Sequence, residues 1–196
     1  MSPKNHNSKR PASSTVRSSK RSTKRVKHSP RKGGTVILST DYKGTTIQIV
    51  QGDITAFPTH AIVNAADTRL RGGEDVNSDI HKAAGPALQE SLDEFYPDGG
   101  KPGGAYTTAV FKVKTAKWII HAIGPDYRKV KTAVERKKKS EQLGSAYRSC
   151  FEEAVKKSAR NIAFPRFVAL FLWVPHHRVN RFMLSSTFLK KLLLIF

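Results

Sequence analysis

The chain has 196 residues, the size of one ordinary domain with tails, and its 35 Lys and Arg residues against 15 Asp and Glu residues give a formal net charge of +20. Residues 1–34 hold 11 basic and no acidic residues, residues 35–165 hold 19 basic residues and all 15 acidic ones, and residues 166–196 hold 5 basic residues and no acid. This distribution excludes a uniformly basic, histone-like chain, because the middle of the chain is nearly balanced.

Residues 1–34 consist mainly of Ser, Lys, Arg, Pro and Asn and contain almost no apolar residue. Such a segment buries too little surface to offset the entropy of ordering, so we predict that it is disordered. The clusters Lys20-Arg21 and Lys24-Arg25-Val26-Lys27 fit a nuclear import signal or a contact with nucleic-acid phosphates. A merely solvated tail is the alternative. We therefore expect a nuclear or nucleo-cytoplasmic protein.

The middle of the chain alternates β-branched apolar runs with helical patterns. Strands so apolar are usually buried on both faces beneath covering helices, so the middle is predicted to be an α/β sheet domain. The predicted strands are Ile47–Val50, Ala61–Val63, Val110–Val113, Trp118–Ile123 and Ile162–Phe164, and the predicted helices are Asp79–Tyr96 and Glu141–Ala159.

Two reactive residue types fall inside these elements. Cys150 is the chain's single cysteine, which excludes an internal disulfide and a CxxC zinc site. We predict that it fills space in the core. His121 lies in the middle of an apolar strand, where a hydrogen-bonded core histidine is a better interpretation than a catalytic one.

Three loops follow predicted strands, where α/β sheets bind their ligands. Asp53 could accept from an exocyclic amine or simply cap the next turn. Asn64–Asp67 ends a strand, and the glycine pair Gly72-Gly73 then leads into a helix. Such a turn offers free N–H groups and a helix dipole to a phosphate, although glycines often only make turns.

Five motifs, taken in order, resemble a macro domain. They are GDIT at 52–55, AIVNAAD at 61–67, RGGEDVNSDIHKAAGP at 71–86, WIIHAIGP at 118–125 and NIAFP at 161–165. The resemblance covers roughly residues 35–165. It implies a three-layer α/β/α fold with a mixed sheet and a site for ADP-ribose. Because many members of the family are hydrolases, the resemblance also implies a candidate activity: release of ADP-ribose from acidic side chains or deacetylation of O-acetyl-ADP-ribose.

The same resemblance implies roles for particular residues. The implied ligand contacts are Asp53 with the adenine amine, Ile54 beside it, Asn64 near the distal ribose, and Gly72, Gly73 and Val76 along the diphosphate. The implied catalytic positions are Asp67, Asn77 and His81, of which His81 helps to order the site. No cofactor and no metal ion is implied.

The sequence departs from the family pattern at the implied catalytic positions. Asp67 replaces the second asparagine of the family's NAAN turn, and Asn77 replaces an aspartate that orients or activates water. An amide cannot take up a proton, so general-base catalysis at that position is expected to be lost. Asp67 could take the role instead. Glu74 and Asp75 replace glycines and bring negative charge to the diphosphate.

The recognisable motifs end at Pro165. The apolar run Phe167–Val174 is too short to span a bilayer, which takes about 20 residues. We hypothesise that residues 166–196 come from a retained intron, an alternative exon or a frame shift. The sheet would then be incomplete at its C-terminal end, with one edge open, paired with the 167–174 run or prone to aggregate.

The expected function is therefore a monomeric macro-domain module that binds ADP-ribose or mono-ADP-ribosylated protein, with weak or lost hydrolase activity. No membrane span is expected. Two alternatives stay open. The chain could be a nuclear, nucleic-acid-associated protein that acts through its basic tail, or a non-functional truncated product.

Overall fold

The computed structural model describes residues 30–31, 33–73, 75–128, 130–165 and 192–195. Within them the strands are β1 (Pro30–Arg31), β2 (Gly34–Tyr42), β3 (Thr45–Gly52), β4 (Ala61–Ala66), β5 (Ala105–Ala109), β6 (Trp118–Ile123), β7 (Ile162–Pro165) and β8 (Leu192–Ile195). The helices are α1 (Asp75–Ala84), α2 (Ala87–Phe95) and α3 (Ala133–Lys156). None of these helices is long and apolar enough to cross a membrane.

All eight strands belong to one mixed sheet in the order β1-β2-β3-β8-β7-β4-β6-β5. Strand β4 runs parallel to β6 and β7, and the other neighbouring pairs are antiparallel. Because β8 is antiparallel to both β3 and β7, strand β3 points the same way as β4, β6 and β7. The carboxyl ends of these four strands therefore meet at one edge of the sheet, which we call the ligand edge.

Alternate residues of the central strands face two separate cores. In β4, Ile62 packs with α1 and α2 on one face, while Ala61 and Val63 pack with α3 on the other. The period of two in a strand produces this division. Helices thus cover both faces, which confirms the predicted three-layer α/β/α fold.

The position between β3 and β7 is filled. Leu192–Ile195 pairs there on both sides, with Leu193 opposite Val50 and Leu194 opposite Phe164. The expectation of an open edge is therefore wrong for the sheet. The 167–174 run lies outside the described residues, and the origin of residues 166–196 stays a hypothesis.

Several predicted elements differ in their bounds. The single helix predicted over Asp79–Tyr96 is two helices, because Gly85 adopts a left-handed φ of 82° and Pro86 has no N–H to continue the first. The strand predicted at Val110–Val113 is wrong, since the chain turns there and the strand is β5 just before it. Strand β2 was not predicted.

Helix α3 begins earlier than predicted, at Ala133. A capping box explains this start: Thr132 Oγ1 accepts from the Glu135 N–H at 3.1 Å, and Glu135 Oε2 accepts from the Thr132 N–H at 3.0 Å. Farther along α3, Cys150 is buried, and burial raises the pKa of its thiol to about 12. The prediction of a space-filling core cysteine is confirmed.

The start of the fold lies just inside the tail that was predicted to be disordered. Pro30–Arg31 pairs as β1 with Gly34 and Thr35 at the beginning of β2. Residues 1–29 lie outside the described residues, so the prediction for them stays a prediction.

Candidate functional site

Asn64 is the buried centre of the candidate site. It lies in β4 near the ligand edge, directly opposite His121 of the parallel strand β6. Its Nδ2 donates to Asn77 Oδ1 at 2.8 Å and lies 3.1 Å from His121 Nδ1. Neighbouring parallel strands and the first turns of α1 therefore bring together three side chains that are distant in the sequence.

The direction of every hydrogen bond in this cluster follows from one backbone carbonyl. Asn77 Nδ2 donates to the Arg71 carbonyl oxygen at 2.8 Å, so Asn77 presents its Oδ1 to Asn64. Asn64 must then turn its Nδ2 towards Asn77 and His121. Because Nδ2 can only donate, His121 Nδ1 accepts and the ring proton is on Nε2. This assignment rests on the hydrogen-bond pattern.

Thr108 completes the cluster from β5. His121 Nε2 lies 3.0 Å from Thr108 Oγ1, which accepts the ring proton. Burial, and next the positive charge of His81, lowers the pKa of His121 to about 3. His121 is thus a neutral core histidine with both nitrogens paired, as predicted. We call Thr108, His121, Asn64 and Asn77, with the Arg71 carbonyl, the amide relay.

Two buried polar atoms beside the amide relay have no partner among the described residues. They are Asn64 Oδ1 and His81 Nε2. Leaving such an atom unpaired costs roughly 1–3 kcal/mol, so these positions favour a group that donates or accepts a hydrogen bond. The rings of His81 and His121 are 6.3 Å apart, and burial lowers the pKa of His81.

The glycine pair lies directly against this cluster. A Cβ on Gly73 would come within 3.0 Å of Asn77 Nδ2, and one on Gly72 within 3.3 Å of His81 Nδ1. Gly72 N also donates to Gln89 Oε1 of α2 at 3.1 Å. The two glycines therefore let the loop approach the buried amides, and Gln89 holds it there. Nothing in the spacing of the sequence pointed to Gln89 or Thr108.

Asp75, one of the two acidic residues in place of the glycines expected from the resemblance, lies at the start of α1. Asp75 is exposed and has a left-handed φ of 52°, a conformation that favours glycine. With Val76, Ser78, Asp79 and Lys82 it lines a cleft of about 260 Å³ on the exposed face of α1. Glu74 lies outside the described residues.

Asp53 lies at the same sheet edge, just after β3. Its Oδ1 accepts from both the Thr55 N–H and the Thr55 hydroxyl at 2.8 Å, so it caps the next turn. No described residue donates to Oδ2, so the second role, accepting from a ligand amine, is compatible with the first. The neighbouring Ile54 side chain is buried.

Asp67 stands apart from the amide relay. Its Oδ2 accepts from Arg69 Nη2 at 3.2 Å and Nε at 3.3 Å, and its Oδ1 accepts from the Arg69 N–H at 3.0 Å. Both carboxylate oxygens are thus engaged at the surface. The structure brings Asn64, Asn77 and His81 together and leaves Asp67 outside them.

In the described ranges no three His, Cys, Asp or Glu side chains are grouped so as to hold a metal ion. The groups available at the ligand edge are the neutral amides of the relay, the imidazoles, backbone N–H groups and the carboxylate of Asp53. Such a set suits recognition of a polar, uncharged or anionic ligand.

Comparison with known proteins places this geometry in a family. The family model described as Macro domain matches residues 63–183, a range that extends past the last recognised motif at Pro165. The O-acetyl-ADP-ribose deacetylase of Salmonella gallinarum is 40% identical over 121 residues, which are 61% of this chain and 64% of that protein. The chain thus spans somewhat less than two thirds of that relative.

Two solved structures resemble the fold as well as the sequence. The Oceanobacillus iheyensis macrodomain with ADP is 31% identical, with a TM-score of 0.60 over 70% of this chain and 72% of that one. A glycine-to-valine mutant of the same macrodomain, solved with ADPR, is 31% identical, with a TM-score of 0.60 over 67% of this chain and 70% of that one. The sequence match, the three-layer sheet and the strand-end asparagine together show that this chain belongs to the macro domain family.

Proposed function

We propose that this protein binds ADP-ribose, either free or attached to a protein, at the ligand edge. The observation that carries the proposal is Asn64 Oδ1, a buried acceptor without a partner in the described part of the chain. It lies beside the pair Gly72-Gly73, where a larger residue at either position would have to displace His81 or Asn77. A sugar hydroxyl is the kind of donor that such an acceptor fits.

The other parts of the nucleotide have complementary groups along the same edge. The diphosphate would lie along Gly72, Gly73 and Val76, where the first N–H groups and the dipole of α1 favour an anion; the Gly72 N–H itself donates to Gln89 Oε1. The adenine amine would donate to Asp53 Oδ2. The resemblance to macrodomains solved with ADP and ADPR supports this arrangement. Because one chain supplies every group, we propose that it acts as a monomer.

Hydrolysis is proposed to be weak. Asn77 cannot take up a proton, and its amide is engaged at both ends by Asn64 and Arg71. Asp67, the alternative base, is held by Arg69. The deacetylase relative suggests the reactions to assay: deacetylation of O-acetyl-ADP-ribose, and release of ADP-ribose from acidic side chains.

A thermal-shift experiment tests the binding site. ADP-ribose should raise the Tm of the wild-type chain, because a ligand that binds only the folded state stabilises it. Asn64→Ala should remove this shift. Asn161→Ala is the matched control: its side chain accepts from the His60 N–H at 2.6 Å and from Thr59 Oγ1 at 3.1 Å, just before β7 and away from the ligand edge.

Asn64→Ala loses buried amide hydrogen bonds and Asn161→Ala loses partly buried ones, so both variants should melt at lower temperature without ligand. Only Asn161→Ala should keep the ADP-ribose shift. Equal shifts in Asn64→Ala and wild type would refute the assignment of Asn64.

We further propose that residues 1–34 direct the protein to the nucleus. Their 11 basic residues without an acidic one support this. Neutralising Lys20, Arg21, Lys24 and Arg25 to Gln in a fluorescently tagged full chain should abolish nuclear accumulation. Unchanged accumulation would count against an import signal.

A further inference from the structure

The first turns of α3 form a strongly basic surface that ADP-ribose binding does not use. We define the basic segment as residues 131–139, which contain Lys131, Arg136, Lys137, Lys138 and Lys139 and one acid, Glu135. None of these five cations takes part in a salt bridge formed by the described residues. The nearby Asp126 is paired with Arg128 at 2.8 Å.

The basic segment projects from the domain. Every described side chain from Lys131 to Lys138 is exposed, including Val134 at 79%, and the first buried residue of α3 is Leu143. At 1.5 Å per residue, the part of α3 before Leu143 is roughly 15 Å long. The segment follows the loop that leaves β6, so it rises from the ligand edge.

Like charges crowd this surface. Arg136, Lys137, Lys138 and Lys139 are consecutive, and the one acidic residue in the first turn of α3 is Glu135, whose Oε2 is used in the capping box. Repulsion between adjacent cations is relieved when anions lie close to them. The basic segment is therefore suited to a partner that carries several negative charges.

We propose that the basic segment binds the major groove of a DNA duplex. Arg136, Lys137 and Lys138 are exposed and consecutive, and successive helical residues point about 100° apart, so their charges lie on opposite sides of the helix, while Lys139 is half-buried on the face of Leu143. A membrane or a flat acidic protein would meet one side only, whereas a groove has phosphates on both sides. The B-DNA major groove is about 12 Å wide and admits an α-helix.

Fluorescence anisotropy with a labelled mixed-sequence DNA duplex tests this proposal on the full chain. The key variant replaces Arg136, Lys137, Lys138 and Lys139 with Gln, which keeps helix propensity. The matched control replaces Lys20, Arg21, Lys24 and Arg25 with Gln and so removes the same charge from the tail. Each lost phosphate contact should lower the slope of log K against log salt by about 0.9.

The α3 variant should lose roughly 2–4 units of this slope and bind DNA at least about tenfold more weakly. It should also lose the preference for DNA over an RNA duplex, whose major groove is too narrow for a helix. The tail control should weaken binding to both duplexes equally. An unchanged slope or DNA preference in the α3 variant overturns the proposal, as does tighter binding of the wild type to acidic phospholipid vesicles than to DNA.

Two checks keep this result interpretable. Circular dichroism establishes that the α3 variant is folded, and Lys137→Gln with Lys138→Gln replaces it if it is not. The ADP-ribose thermal shift should be the same in the α3 variant and the wild type. DNA binding and ADP-ribose binding can therefore fail independently of each other.

Discussion

Asn64 can present its buried Oδ1 to a ligand because its Nδ2 donates both of its protons to protein groups. Asn77 Oδ1 and His121 Nδ1 take the two Nδ2 protons, so rotation of the amide would put like atoms against each other. Thr108 and the Arg71 carbonyl fix the outer ends of the relay. The orientation of one amide thus depends on residues from three strands and a helix.

The neutral state of His121 predicts a pH dependence of stability. The folded pKa is about 3 and the unfolded value is 6.5, so between them only the unfolded chain binds this proton. Stability is fully present above pH 6.5 and falls by about 1.4 kcal/mol per pH unit as the pH drops through this window. His81, whose pKa is also lowered, adds in the same direction.

Urea unfolding measured at several values between pH 7 and pH 5.5, where ordinary carboxylates stay almost fully ionised, reports mainly this effect. His121→Gln should show a shallower loss of unfolding free energy than the wild type. An equal pH slope in the two proteins would contradict a neutral buried His121.

Restoring the family's residues should restore hydrolysis. In the double exchange Asp67→Asn with Asn77→Asp, a carboxylate returns to the position of the general base, which typically contributes roughly 10²–10⁴-fold. We expect turnover of O-acetyl-ADP-ribose to rise at least about tenfold. The new carboxylate also loses the bond to the Arg71 carbonyl, which should cost about 1–3 kcal/mol of stability.

Asp67→Asn alone serves as the control and should not raise the rate. Turnover in the double exchange that matches the wild type would mean that Asn77 does not occupy the base position.

The sequence predicts which residues belong to the candidate site better than it predicts which side chains they contact. Asn64, Asn77 and His81 could be found because they follow a recognisable motif. The contact between Asn64 and His121 could not, because it joins positions 57 apart and depends on the register of two parallel strands. Thr108 was missed because β5 was predicted a few residues too late.

Among the elements, α1 begins with a residue that is expected to weaken ligand binding. Asp75 puts a negative charge and a left-handed φ where the family has glycine. Its carboxylate is favourable for the helix dipole but repels a diphosphate at the same place. Helix stability and ligand affinity therefore oppose each other at this residue.

Asp75→Gly should raise ADP-ribose affinity about threefold to tenfold, which corresponds to removing roughly 1 kcal/mol of repulsion. Asp75→Asn separates the causes, since it removes the charge and still tolerates the left-handed conformation. Titrations at low and high salt should show the gain shrinking as salt screens the charge. A gain in Asp75→Gly but none in Asp75→Asn would mean that backbone conformation, not charge, limits binding.

The helices also show what local signals can and cannot reveal. Gly85-Pro86 is a local signal for the end of a helix, and it accounts for the division of the predicted helix into α1 and α2. The exposed start of α3 had no apolar periodicity, so only the Thr132 and Glu135 capping pattern could have revealed it.

On the scale of the whole molecule, the sheet depends on a strand from the end of the chain. Strand β8 lies between β3 and β7, and so joins the antiparallel first part of the sheet to the parallel centre. The apolar run 167–174 also fits a buried strand, and pairing between distant segments leaves no local signal, so the sequence alone does not identify Leu192–Ile195 as the strand between β3 and β7. The alternation of strands and helices was enough for the fold class.

Deleting residues 192–196 should therefore destabilise the domain. Each lost ladder hydrogen bond costs about 1 kcal/mol, and the open edges of β3 and β7 invite aggregation. Thermal melting and light scattering should show a lower Tm and larger particles. Deleting residues 1–29 is the control and should leave the Tm unchanged; the same Tm in both deletions would refute the role of β8.

The proposed ADP-ribose site at the ligand edge depends on Asn64. Isothermal titration of ADP-ribose into the full chain, with Asn64→Ala and Asn161→Ala alongside, measures this dependence. We predict saturable binding with one site per chain in the wild type and in Asn161→Ala, and none in Asn64→Ala. Absence of binding heat in the folded wild type at millimolar ADP-ribose would contradict the proposed site.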